Sequence, residues 1–156
     1  MPHPVAISGS IGTCLGLIAG YFGGMVDSVM MRVVDIGLAF PSVLLALLVI
    51  SIVGPGLPSV VLAIGISSTP PFVRIVRGSV LVIKEMVFVE AARALGAGNL
   101  RILFRHILPE VFAPAVTMAT LSLAGAIFAA SSLSFLGFGA RPPTPEWGAM
   151  VSAARH

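Results

Sequence analysis

Charge is scarce in this sequence of 156 residues. Asp, Glu, Lys and Arg together make up 10% of it, against about 25% in soluble domains. Its one lysine, Lys84, follows Val82-Ile83 and sits in no G-x-x-x-x-G-K-[ST] phosphate loop, so this chain is not expected to hydrolyse ATP by itself. No H-E-x-x-H run is present and His3, His106 and His156 are scattered, which leaves no metal site to expect. No G-x-S-x-G elbow supports a membrane hydrolase. Cys14 is the single cysteine, so no intrachain disulfide can form and the redox compartment stays open. No Lys or Arg precedes the first apolar run, which therefore lacks the charged start of a signal peptide.

What is abundant is apolar: 57% of residues are hydrophobic and the mean hydropathy is +1.07. A single domain of this length keeps much of its surface wet, so the excess needs lipid or partner subunits. The net charge of +3 and pI of about 10.0 do not point to nucleic acid, because the basic residues flank apolar stretches instead of forming a dense stripe. Four stretches approach the roughly 20 residues needed to cross a bilayer: Val5 to Phe22, Val33 to Val53, Pro58 to Val73, and Val111 to Phe138. An all-α, multi-pass membrane protein follows. The connectors are a short Gly23–Arg32, a tight Gly54-Pro55-Gly56, a long Arg74–Glu110, and a proline-rich Gly139–Trp147.

Six of the nine basic residues, Arg74, Arg77, Lys84, Arg93, Arg101 and Arg105, fall between Arg74 and Glu110. The positive-inside rule makes that loop cytoplasmic. Alternation then puts Gly23–Arg32 inside, and Gly54–Gly56 and Gly139–Trp147 outside. A chain that starts and finishes outside leads one to expect at least one more helix upstream, and the short apolar tail from Met150 to His156 looks cut off.

Within this frame several residues stand out. Ser8, Gly12, Gly16, Gly20 and Gly24 recur every four positions, a ridge of small residues that lets another helix approach. A packing face accounts for the spacing, and a pore-lining role is the alternative. Arg32 and Asp35, three apart, read as a local ion pair anchoring depth or as a gating contact. Pro70-Pro71 interrupts the third stretch as a static kink or as a hinge near a gate. Trp147 reads as an interfacial anchor or as a contact for a partner protein.

The most informative stretch is Lys84 to Pro109. It reads as a helix to about Leu95, a turn at Gly96-Ala97-Gly98, and a second helix from Asn99, a suitable N-cap, to about Leu108, which Pro109 holds back from helical geometry. Phe88, Ala91, Ala92 and Leu95 share one face of the first helix, and Glu90 can pair with Arg93 or with a partner's charges. An ordinary amphipathic loop at the membrane surface satisfies these residues as well as a docking helix does.

The stretch resembles the signature loop of ABC-importer permeases: E-A-A, three residues, G, nine residues, I-x-L-P. Here it stands as Glu90-Ala91-Ala92, Gly96 and Leu108-Pro109, with His106 where the pattern has isoleucine and Ile107 beside it. Met31-Arg32-Val33-Val34-Asp35 with Ala39-Phe40-Pro41-Ser42, and Leu133-Ser134-Phe135-Leu136-Gly137 with Pro142-Pro143-Thr144-Pro145-Glu146-Trp147-Gly148, are similar to the branch that carries dipeptides, oligopeptides and nickel. The resemblance covers nearly the whole chain. It implies a type I (MetI-like) permease fold with about four of the usual six spanning helices, incomplete at both ends, in a bacterial or archaeal inner membrane. It implies that residues 84–109 form a coupling loop. Glu90, Ala91, Ala92, Arg93, Gly96 and Arg101 would meet a separate ATPase that binds ATP and Mg. A second homologous permease and an extracytoplasmic solute-binding protein are the other implied partners, with lipid around them. The solute would pass inward by alternating access, with no covalent chemistry in this chain. A non-transporting membrane fragment or assembly protein is the alternative.

Overall fold

The structure is a computed structural model that describes residues 4–139 and 147–154. All of its regular structure among those residues is helical. Helix α1 (Pro4–Phe22) ends at Gly23, and α2 (Gly24–Ala39) begins at once. The expected connector at Gly23–Arg32 is therefore helical. Gly23 and Gly24 make the turn alone, at φ 65° and 54°, a backbone region open to glycine.

Helix α3 (Ser42–Val53) lies at 96° to α2. The second apolar stretch is thus two half-length helices and not one straight span. Pro41 causes the break: the residue before a proline is driven out of the α region, and Phe40 is extended at φ −90°, ψ 139°. After the Gly54–Gly56 turn, α4 (Leu57–Ser67) and α5 (Thr69–Ile83) continue one another as a 27-residue apolar span. Pro70 and Pro71 sit in the first turn of α5, where a missing N–H costs little. Arg74 and Arg77 belong to this helix, so the loop starts at Lys84 and not at Arg74.

Helix α6 (Val87–Ala94) is followed by α7 (Asn99–Ile102), a π-helical turn over Leu103–Ile107, and α8 (Leu108–Phe135). The last three run on as one 37-residue apolar segment. Pro109 does not end the helix. In α geometry its ring would strike the carbonyl of Arg105; the π turn, closed by the Leu108 N–H on the Leu103 carbonyl, takes up the misfit. Leu108 stays helical at φ −55°, ψ −43°. Asn99 is the first helical residue and caps nothing; Gly98 precedes the helix. A short α9 (Trp147–Ala153) packs on α8. The Pro142–Glu146 part of the proline-rich motif, with Arg141, His3 and His156, lies outside the described residues.

Three segments are long and apolar enough to cross a membrane, and a fourth crossing results if the bent α2–α3 pair is one. Helices α1 and α5 form the main contact. A Cβ placed on Gly12, Gly16 or Gly20 would lie 2.7 Å from a side-chain carbon of Phe72, Val76 or Val80 respectively. The constant offset in numbering means that the two helices run parallel, as two outside-to-inside crossings must. Gly24, in contrast, has nothing within 4 Å and is not part of the seam.

The buried side chains fall into two clusters. One joins Leu17, Val76, Val80 and Ile83 to Val89, Ile102, Ile107 and Val111 around the Lys84–Pro109 stretch. The other joins Ala46, Ile50, Val60, Ile64, Ala126 and Leu133 at the opposite end of the bundle.

Candidate coupling site

Helix α6 is short, and tertiary packing holds it. Val89 is fully buried among Val80, Ile83, Ile102 and Ile107, with Ala92 and Ala97 packed against the same cluster. An eight-residue helix has little stability of its own, so these inward contacts fix it. Its start is set by extended Met86 and its end by Gly96 at φ 81°. The Gly96 N–H donates to the Arg93 carbonyl and the Ala97 N–H to the Ala92 carbonyl, both at 3.0 Å. That is the paired closure of a left-handed helix end, which glycine fits without strain.

The outward face of α6 is bare. Glu90, Ala91, Arg93 and Gly96 are exposed, with Phe88 on the same side, and Leu95 is 89% exposed. Ala92 departs from the shared face expected of it and turns inward. Among the described residues the ion pairs are Arg74–Asp35 and Arg77–Asp27, so Glu90 and Arg93 do not bridge one another. Arg101 is exposed on α7, and its neighbour Ile102 is fully buried. Small and apolar side chains between unpaired charges form a surface that suits a protein partner.

Polar ties that the sequence did not announce surround this loop. The Tyr21 hydroxyl donates to Asn99 Oδ1 at 3.0 Å, joining the end of α1 to the start of α7. Lys84 Nζ donates to the Gly20 carbonyl at 3.2 Å, satisfying an acceptor at the end of α1. Asp35 pairs with Arg74 of α5 and not with Arg32, which is exposed. Asp27 takes both Nε and Nη2 of Arg77. Four charges near one end of apolar helices are thereby neutralised in pairs. No group of three or more His, Cys, Asp or Glu that could hold a metal occurs among the described residues.

The family model described as the binding-protein-dependent transport system inner membrane component matches residues 12–155. This chain belongs to that family. It is a multi-pass inner-membrane protein of the ABC-importer permease type, as its apolar helices require. It is 48% identical over 151 residues to the glutathione transport system permease protein GsiD of Pectobacterium atrosepticum, covering 97% of this chain and 50% of that one. Against the GsiD of Escherichia coli and of Shigella boydii it is 49% identical over the same length and shares. The chain spans about half the length of the curated relatives it matches.

The other residues singled out in the sequence lie away from the open face of α6. Gly12, Gly16 and Gly20 are wholly engaged with α5, so they face no pore in this arrangement. Pro70 packs on Gly37 of α2. Pro71 lines a cavity between α3, the α4–α5 junction and α8. The paired charges could have been suspected in the sequence, since lone Asp and Arg in apolar helices need partners, but nothing in the spacing says which.

Proposed function

We propose that this chain is the transmembrane part of an ATP-driven importer that passes small peptides inward by alternating access. The observation that carries the reading is the two-sided build of α6. Val89, Ala92 and Ala97 lock it into the cluster that also holds α1, α5 and α8, while Glu90, Ala91, Arg93 and Leu95 stay open to a partner. A push on the open face moves the buried face, and interlocked apolar side chains pass a rigid shift to the long helices. The π turn at Leu103–Ile107, directly in that line, is a place where the α8 segment can change register.

The ATPase that pushes is a separate chain, binding ATP and Mg, and Arg101 stands beside α6 to meet it. A second permease subunit and a solute-binding protein complete the assembly. The chain's similarity to glutathione transport permeases supports a peptide-like solute, since glutathione is a tripeptide.

The test uses the full reading frame expressed with its neighbouring transporter genes. Glu90→Lys, or Gly96→Pro at the φ 81° position that proline cannot adopt, abolishes co-purification of the ATPase or uncouples hydrolysis from uptake. Uptake and assembly that survive both changes end the coupling role.

A further inference from the structure

Two helix interruptions meet at one place. The α2–α3 break at Phe40–Pro41 and the α4–α5 junction at Ser68 both border a cavity of about 260 Å³ closed on its third side by α8. Its polar lining consists of hydroxyls: Ser42, Ser67, Ser68 and Ser122, with Pro71 and Gly125 between them. None of the lining residues is charged, and none is His or Cys.

The hydroxyls differ in a way that matters. On α8, Thr117, Thr120 and Ser132 each donate to a carbonyl of their own helix at 2.9–3.0 Å, and Thr69 donates back across the junction to the Gly65 carbonyl of α4 at 2.9 Å. Ser67 donates to the Ile64 carbonyl of its own helix at 3.2 Å. This is how an apolar helix in lipid usually satisfies a hydroxyl. Among the described residues, the Ser42, Ser68 and Ser122 side chains take no such bond. Pro71 has no N–H, so the carbonyl of Ser67, four residues back, also lacks its usual helical donor. Non-helical backbone and spare hydrogen-bonding groups at membrane depth are tolerated where they line a polar cavity.

We propose that this cavity holds backbone amides of a peptide solute in transit. The inference rests on the transport reading above and adds to it a contact site and a ligand chemistry. A hydroxyl both donates and accepts, so Ser42, Ser68 and Ser122 serve the C=O and the N–H of a peptide unit alike, whatever its side chains. A divalent cation finds no imidazole, thiolate or carboxylate here. Small-molecule sites occupy about 300–1,000 Å³, so the cavity takes a segment of the solute and leaves the remainder to the rest of the pathway.

The test is uptake of labelled glutathione and of labelled trialanine by cells making the full-length permease with its ATPase, second permease and binding protein. Ser68→Ala/Ser122→Ala lowers peptide uptake about thirtyfold, the effect of losing two hydrogen bonds of about 1 kcal/mol each. Assembly, and the ATPase stimulation given by loaded binding protein, stay at wild-type level. Ser68→Thr/Ser122→Thr, which keeps both hydroxyls, retains most of the uptake. The control Thr117→Ala/Thr120→Ala, at hydroxyls bonded to their own helix, changes nothing. Wild-type uptake by the double alanine variant overturns the proposal, as does a loss of assembly or ATPase stimulation matching the loss of uptake. A wild type that takes up neither peptide overturns the transport reading itself, and this proposal with it.

Discussion

Helix α5 is gripped from two sides by different means. On one side α1 lies against it along Gly12, Gly16 and Gly20, with side-chain carbons of Phe72, Val76 and Val80 almost on the glycine backbone. On the other side α2 is largely exposed and meets α5 through Asp27–Arg77, Asp35–Arg74 and the Gly37–Pro70 contact. Close-packed seams resist sliding because each displacement creates overlaps or voids. Ion pairs can part and re-form where water reaches them. The difference makes α1–α5 the closer-packed contact and α2–α5 the one more easily parted.

Four substitutions bear on this contrast, in falling order of effect. Gly16→Leu would drive a side chain into Val76 and the Val73 carbonyl. It should cost about 3 kcal/mol or more and abolish detergent-stable folded protein in size-exclusion chromatography after heating. Gly78→Leu, on the same α5 but with nothing within 4 Å, should leave the elution profile unchanged. Equal behaviour of the two would mean that the seam is not close-packed.

Arg77→Met strands Asp27, whose side chain is 17% exposed against 27% for Arg77. About 2 kcal/mol should be lost, between the values for surface and buried pairs. The exchange Asp27→Arg/Arg77→Asp should recover part of it in thermal unfolding, and no recovery would deny a direct pair.

Lys84→Met removes the bond to the Gly20 carbonyl and should cost about 1 kcal/mol, seen as faster amide exchange at the end of α1. Arg74→Ala breaks a pair in which both side chains are more than half exposed, 57% and 56%. A loss of about 0.5 kcal/mol or less is expected, already absent in 1 M salt. A large effect at Arg74 would make the α2–α5 contact as firm as the α1–α5 one and erase the contrast.

How much of this was legible in the sequence depended on the length scale of the signal. The glycine seam was legible because a four-residue period is local, although the period alone wrongly included Gly24. The apolar spans were legible because lipid demands length and little else. Pairings such as Asp27–Arg77 were not, because fifty residues separate the partners, and the nearer Arg32 misdirected the reading of Asp35. Pro41 and Pro109 acted in opposite ways: Pro41 broke a stretch read as continuous, and Pro109 was absorbed by a π turn where a helix end was expected. Local propensity is the same in both cases, and only tertiary surroundings decide the outcome. In the Lys84–Pro109 stretch the spacing located α6 and Gly96, but not that Ala92 faces inward or that Val89 is the anchor.

The seam's repetition has one more consequence. With a small residue every fourth position, α1 could be shifted along α5 by four residues, about 6 Å, setting Ser8, Gly12 and Gly16 against Phe72, Val76 and Val80. Such a track is nearly degenerate in its apolar contacts. What singles out the observed setting is directional chemistry at one end: the ammonium of Lys84 on the Gly20 carbonyl and the Tyr21 hydroxyl on Asn99. These two bonds act as detents, selecting one notch from several that packing alone would accept.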